Sequence, residues 1–468
     1  MSSNKVERLG LVGLGVMGRS LAQNFQDQGV PLVVYERDQH LAEQARPLLT
    51  ENTVWTDGLD DLAASLPTPR AILLMVQAGE PVDQVIDALR PHLQAGDIII
   101  DGGNSAYLDT KRRQLALATD GIELIGLGVS GGEEGARYGP AMMSGGPEKA
   151  WELVAPLLTK VAAKTPAGEA CCKRMGEGAS GHLVKTVHNG IEYGIMQALA
   201  EAYDLMRSGA GKEMAEISDI FEAWNKGPLQ SYLVEISSLI CRREAEDGSP
   251  MLDKVVDKAG QKGTGRWASL AAIEHGVAAS AIAEAVFARA VSSEIESRQT
   301  TSRSYPPVSS IELDMKALEQ AILTSSIIAF SQGFALIEAV ANEEGWKVEL
   351  GEVAKVWRGG CILRARLLDD FSQAIEETSG TSSPLIASPH LSGLLRQSLP
   401  GLRMSVASGV MGGIALPVLS SSLAWVDGMT RARGPANFLQ GLRDCFGAHG
   451  FERIDQTGSH SIDWSSPR

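Results

Sequence analysis

The segment GHLVKTVHNGIEYG, Gly181 to Gly194, carries Lys185, His188, Asn189 and Glu192 at i, i+3, i+4 and i+7. Residues so spaced stack on one face of an α-helix. Leu183, Val184, Val187 and Ile191 take the other positions. A solvated face more often repeats Glu and Lys, so this mixture of amine, imidazole, amide and carboxyl predicts a helix face that borders a cavity. The competing reading is an ordinary ion-paired face.

A second stretch offers a different chemistry. GLGVMG, Gly13 to Gly18, follows an apolar strand, opens a helix and precedes a second strand ending in YERD. In that setting the first glycine permits a tight turn and the second lets a pyrophosphate approach the backbone. The third lets helix and strand pack closely, and the helix N-terminus attracts the phosphates. Glu36 ends the second strand, where an acid accepts hydrogen bonds from ribose hydroxyls and repels a 2′-phosphate, whereas the adjacent Arg37 suits that phosphate. DIIIDGGNS and IGLGVSGGEEGARYGP put further glycine-rich turns after strands. Asn104 and Ser130-Gly131-Gly132 therefore sit where ligands meet such sheets, although for any one of them alone the turn-residue reading wins.

Short apolar strands and helices must position these groups. Arg8 to Val12, Leu32 to Tyr35, Ala71 to Val76, Asp97 to Ile100 and Ile122 to Leu127 read as strands, and Met17 to Gln28 as a helix. Continuous apolar strands alternating with helices predict a parallel sheet covered on both faces. After about residue 178 long amphipathic helices take over: His182 to Met206, Trp267 to Ile295, Ile311 to Asn342 and Gly351 to Ile375. Polar loops such as REAEDGSP and ETSGTSSPLIASP separate them. The tail after Pro435 reads as too sparse to form a core alone.

Composition narrows the classes of function. The chain has 468 residues with a formal net charge of −15, so non-specific attraction to nucleic acid or anionic lipid is not expected. An anionic ligand would need a local cluster of cations. Cys171, Cys172, Cys241, Cys361 and Cys445 form no CxxC pair and no metal-ligand spacing, and they read as reduced thiols of a cytoplasmic protein. MSSNKVERLG lacks an apolar signal core. The longest uncharged run, Ser405 to Val426, is broken by proline, glycine and serine, and reads as a buried segment of the protein rather than a membrane span.

SGGEEGARYGP, GHLVKTVHNGIEYG, GQKGTGRW, EAVFAR and RDCFGAH, in that order, resemble the decarboxylating 6-phosphogluconate dehydrogenase family from about residue 8 to residue 464. The resemblance implies a Rossmann-type cofactor-binding domain over 1–178 and an all-helical substrate and dimerisation domain over 179–434. It also implies a tail, 435–468, that reaches the partner subunit of a homodimer. The implied reaction takes 6-phospho-D-gluconate and NADP to D-ribulose 5-phosphate, CO₂ and NADPH, in the oxidative pentose phosphate pathway. Lys185 matches the family's base and Glu192 its acid. A lysine serves as a base only when neutral, which requires desolvation or nearby positive charge. No metal is required, because a β-keto acid already has an electron sink. Asn104, Ser130, Gly131, Gly132, His188 and Asn189 match substrate-orienting positions. Tyr193, Lys262 and Arg289 match the phosphate site, joined by Arg443 and His449 from the other subunit. The cofactor positions are Gly13, Leu14, Gly15, Val16, Met17 and Gly18, then Glu36, Arg37 and Asp38, then Val76, Gln77 and Ala78, with Asn104.

The sequence departs from the family pattern in places. Glu36-Arg37-Asp38 stands where Asn-Arg-Ser/Thr is common, and Val76-Gln77-Ala78-Gly79 where Val-Lys-Ala-Gly is common. Both changes make the cofactor site less positive, so NADP is the family default while NAD or dual use stays open. Ile195 follows Gly194 where aspartate is frequent, and Ser144 replaces a common proline. The alternatives are another β-hydroxyacid dehydrogenase, or a dinucleotide-binding homolog without catalysis. The presence of both Lys185 and Glu192 weighs against the second.

Overall fold

Apolar runs bounded by glycine and proline fold into an eight-stranded sheet in the computed structural model, which describes residues 6–165, 167–261 and 263–466. The strands are β1 (Leu9–Val12), β2 (Leu32–Tyr35), β3 (Val54–Trp55), β4 (Ala71–Leu74), β5 (Ile98–Asp101), β6 (Glu123–Ser130), β7 (Ala141–Gly145) and β8 (Cys172–Gly176). Their order is β3-β2-β1-β4-β5-β6-β7-β8. β1, β4 and β5 are buried throughout, as strands covered on both faces must be. The order reverses between β1 and β4, and in such sheets ligands bind beyond the carboxyl ends of the strands at that point.

The expectation of a parallel sheet holds for β1 to β6 and fails at β7, which pairs antiparallel with β6, Val129 opposite Met142. The connection between them is the short helix Gly132–Tyr138 and a Gly-Pro turn. It is too short for a parallel crossover, which takes a dozen residues or more. β8 then returns parallel to β7 after the helix Glu148–Val161.

Two of the four long helices form near their expected bounds, as Ser180–Asp204 and Met315–Glu344. The other two break. Trp267 to Ile295 divides into Thr264–Glu274 and Ser280–Ser293, with Ile295 opening a third helix. Gly276 takes a left-handed φ of +66°, and the Val277 N–H bonds back to the Ala272 carbonyl, which closes the first of these helices. Gly351 to Ile375 divides into Leu350–Val356 and Leu367–Thr378, with Gly359-Gly360 between them and Gly360 at φ +65°.

The apolar helix Met315–Glu344 is the core post of the helical layer. It packs on Ser180–Asp204 and on Pro389–Gly412, and 89% of its most apolar 18-residue window is buried inside the protein. Its Phe330 and Phe334 pack with Trp357 and Phe371, ring centroids 5.3 to 6.4 Å apart.

Residues up to Ser422 form one compact unit, so sheet and long helices fold together. Gly181 shows how closely: a Cβ there would lie 2.3 Å from the Gly126 carbonyl on β6 and 2.5 Å from Gly145 N on β7. The second unit starts at Leu423. Its residues after Pro435, read from sequence as too sparse to form a core alone, gather around one carboxylate. Asp444, on the helix Ala436–Gly447, accepts hydrogen bonds from Gly450 N, Ile462 N and Trp464 Nε1 at 2.9, 3.2 and 2.8 Å. Two short antiparallel strands, β9 (Phe451–Glu452) and β10 (Ser459–His460), complete it.

Candidate active site

The helix Ser180–Asp204 is buried on nearly all sides, which explains its composition. Leu183, Val184, Val187 and Ile191 are fully enclosed. Gly190 lets the helices Thr264–Glu274 and Ser280–Ser293 come close, since a Cβ would lie 2.8 Å from Ala268 and 3.0 Å from Ile282. The polar face is held almost as tightly. Lys185, His188 and Asn189 are buried, and the Glu192 side chain is 20% exposed.

His188 links this face together. Its Nδ1 lies 3.2 Å from Asn189 Oδ1 and 3.9 Å from Glu192 Oε2, and its Nε2 lies 3.4 Å from Ser130 Oγ at the end of β6. The ring stands edge-on to Trp357 at 5.5 Å, so the aromatic core fixes its plane. Gly128 on β6 gives Lys185 its slot: a Cβ at 128 would lie 2.4 Å from Lys185 Cβ. Gly131, at φ +111°, faces the Gly360 carbonyl, 2.5 Å from where its Cβ would be.

Burial dominates the electrostatics of this cluster. It pushes the Lys185 amine down, against the opposing pull of Glu192 and Cys361. It pushes the Glu192 carboxyl up, against Lys185 and Arg289. His188 is driven well below its ordinary value by burial and then by the lysine charge, with the Asn189 hydrogen bond opposing. Both ends of the face are thus biased toward their uncharged forms, amine and carboxylic acid.

Farther along the helix, the Arg289 guanidinium stacks over the Tyr193 ring at 3.5 Å and donates to the Gly260 carbonyl at 2.7 Å. Gly265 lies beneath the same ring, 2.5 Å from a would-be Cβ to Tyr193 Cδ2. Asn104 is exposed in the loop after β5, and Gly132 is exposed at the start of the helix that follows β6. Lys262 lies outside the described residues. Arg443 and His449 belong to the second unit. There Arg443 donates to Gln440 Oε1 at 3.2 Å, and His449 meets Phe446 edge-on at 5.8 Å.

The glycine loop has a separate role for each of its three glycines. Gly13 has φ +96°, and a Cβ there would meet the Met75 carbonyl at 2.7 Å. Gly15 faces open space, with nothing within 4 Å of a Cβ position. Gly18 presses on the Gly13 carbonyl, which a Cβ would overlap at 2.0 Å. This leaves a backbone cradle at the N-terminus of helix Val16–Asp27, a shape and polarity that fit a dinucleotide's phosphates. Leu14 is buried, Val16 exposed and Met17 between the two. The Glu36 carboxylate accepts the N–H groups of Leu14 and Asp38 and so braces this loop. Asp38 caps the helix Gln39–Ala45 through His40 N and Leu41 N, while Arg37 is exposed. Beyond β4, Gln77 is exposed between the half-buried Val76 and Ala78.

Two family descriptions match the chain end to end. "NAD binding domain of 6-phosphogluconate dehydrogenase" covers residues 8–176, and "6-phosphogluconate dehydrogenase, C-terminal domain" covers 181–464. The chain belongs to the 6-phosphogluconate dehydrogenase family. A decarboxylating 6-phosphogluconate dehydrogenase of Haemophilus ducreyi is 43% identical over 458 residues, 96% of this chain and 94% of the relative. An NADP(+)-dependent decarboxylating enzyme of Bacillus subtilis is 41% identical, covering 98% and 99%. Among solved structures, Plasmodium falciparum 6-phosphogluconate dehydrogenase, described in apo form and with NADP+ or 6-phosphogluconate, aligns with a TM-score of 0.92. It is 34% identical and covers 98% of this chain and all of the other.

Sequence reasoning passed over Gly128, Gly360, Trp357 and Cys361, which shape the site of this family member from neighbouring elements. The doublet in RGGC hints at the close approach at Gly360, whereas Gly128 stands in no doublet.

Proposed function

We propose that this chain oxidatively decarboxylates 6-phospho-D-gluconate to D-ribulose 5-phosphate and CO₂, with Lys185 and Glu192 exchanging the protons. A bound nicotinamide dinucleotide supplies the hydride acceptor for C3. The neutral Lys185 amine takes the C3 hydroxyl proton. The resulting ammonium gives its proton to the C3 carbonyl oxygen while the C1 carboxylate leaves as CO₂. The Glu192 carboxylic acid then delivers a proton to the terminal carbon of the enediol, C1 of the product, as Lys185 takes back the enol proton. His188, Asn189, Ser130, Gly131, Gly132 and Asn104 orient the sugar acid. Tyr193, Lys262 and Arg289 bind its phosphate, where the guanidinium's planar fork suits the anion. The observation that carries this reading is the shared buried face, on which enclosure favours amine and acid over an ion pair.

The dinucleotide occupies the Gly13–Gly18 cradle and the Val76–Ala78 loop, and NADP is its family form. Glu36 supports use of NAD as well, because a carboxylate at the end of β2 disfavours a 2′-phosphate. Residues 1–178 serve the cofactor, 179–434 the substrate and dimerisation, and 435–468 the partner subunit. The helix Ala436–Gly447 supports the last assignment. It leaves Phe438, Leu439, Leu442 and Phe446 exposed along with Arg443, as a helix that docks on a second copy would. The cytoplasm is the compartment that fits five free thiols.

Steady-state kinetics on 6-phosphogluconate with NADP and NAD in parallel, following CO₂, test this reading. Turnover with either cofactor is expected, and Glu36→Asn should shift the ratio of the two kcat/KM values toward NADP. Turnover of non-phosphorylated hydroxy acids alone would overturn the substrate assignment, and an unchanged ratio would overturn the role of Glu36.

A further inference from the structure

Arg113 is an arginine almost wholly removed from water, with its side chain 2% exposed, and the proposed chemistry makes no use of it. It lies on the helix Tyr107–Ala118, and its donors are all engaged. Nε and Nη2 hold the two Asp83 oxygens at 2.9 and 3.0 Å, and Nη2 also reaches the Gly79 carbonyl at 2.9 Å. Nη1 reaches Asp101 Oδ2 and Ser105 Oγ, both at 3.3 Å. Asp101, fully buried, also accepts from Gly103 N at 3.1 Å and Ser105 Oγ at 2.7 Å.

One guanidinium therefore spans two loops. Gly79 and Asp83, at the start of the helix Glu80–Leu89, follow β4 and the loop residues Val76, Gln77 and Ala78; Asp101 ends β5, and Gly103 and Ser105 flank Asn104 in the loop beyond it. The same helix is tied to the site helix one turn away, where Thr110 Oγ1 lies 2.6 Å from His182 Nδ1, three residues before Lys185. A buried ion pair is a poor device for stability alone, since apolar packing of equal volume often does as well or better. Fixing geometry is a task only the planar fork performs, because it presents five donors in set directions. The Asp83 carboxyl is held down at about 2, chiefly by its hydrogen bond to Arg113, so the brace stays charged at neutral pH.

We propose that Arg113 is a positioning residue that sets the spacing between the β4 and β5 loops, and through them the fit of the dinucleotide. This rests on the dinucleotide reading above. A lysine in its place keeps the charge but cannot bridge both loops.

The test measures Arg113→Lys and, because Asp83 is partly exposed and its loss leaves Arg113 on Asp101, Asp83→Asn. For Arg113→Lys the KM of the dinucleotide should rise at least tenfold, while the Kd of 6-phosphogluconate measured without dinucleotide rises by less, because of its binding set only Asn104 lies on the braced loops. Asp83→Asn should give a smaller rise in the same direction. A folded Arg113→Lys with a wild-type dinucleotide KM would overturn the inference. So would a lowered melting temperature with both ligands weakened equally, which marks general loosening. If Arg113→Lys does not fold, Asp83→Asn decides by the same criteria. Wild-type protein that binds no nicotinamide dinucleotide would instead overturn the reading beneath it.

Discussion

Lys185 and Glu192 lie two helical turns apart on one buried face, each pushed by enclosure toward the form its proposed task requires. The signs give a pH profile. In the proposed role Lys185 is the neutral amine, so turnover should be lost as pH falls through its lowered pKa. Glu192 is in its proposed role the acid, so turnover should be lost as pH rises through its raised pKa. The two limbs belong to the coupled pair rather than to either residue alone. Glu192→Gln should cost roughly 10²- to 10⁴-fold in kcat, the usual range for a general acid. It should also remove the alkaline limb and move the acid limb to lower pH, because the carboxylate that draws Lys185 upward is gone. A pH–rate profile of the variant checks this; an alkaline limb left in place would assign it to another group. The face itself was readable from spacing alone. Its depth was not, since that depends on Trp357, which packs against His188 from far along the chain.

Among the elements, the contact between β6 and the helix Ser180–Asp204 sets where the amine sits. Gly128 and Lys185 are 57 positions apart, and only the folded pairing shows that the glycine exists for the lysine. In a sequence with 50 glycines, that one carries no mark of its own. Gly128→Ala forces two Cβ atoms to within 2.4 Å, a clash that no side-chain rotation relieves. Overpacking of this kind costs about 1–3 kcal/mol. The variant should melt earlier and lose at least tenfold in kcat, and thermal melts run beside kinetics will show it. A full kcat would mean that helix and lysine are free to shift together. Five of the eight sheet strands and two long helices were legible because burial on both faces imposes continuous apolar runs and because helical spacing persists over many turns; β3, β7 and β8 were not expected. The broken helices were not. Apolar periodicity ran through Gly276 and Gly360, and the left-handed turns there depend on packing against other elements.

At the level of the whole molecule, the homodimer reading places Arg443 and His449 of one subunit in the site of the other. Hybrids test it. On that reading Lys185→Ala and Arg443→Ala should each inactivate, whereas unfolding and refolding them together should yield mixed dimers with one intact site. With random pairing, activity should recover to about a quarter of wild type, from half the dimers carrying one good site of two. No recovery, with hybrids shown to form, would place Arg443 in its own subunit's site or in none. The family and the parallel part of the sheet were legible because their motifs are local. The folded tail was not, since its organising group is a single aspartate, Asp444, that collects donors up to 20 positions away.

The claim on which the chemistry turns is that an uncharged amine at position 185 starts the reaction. The direct measurement compares wild type and Lys185→Ala for CO₂ release from 6-phosphogluconate, together with the dinucleotide dissociation constant of each. The account predicts loss of turnover with a dissociation constant within about twofold of wild type, a difference below 0.5 kcal/mol. Wild-type CO₂ release from the alanine variant would contradict it.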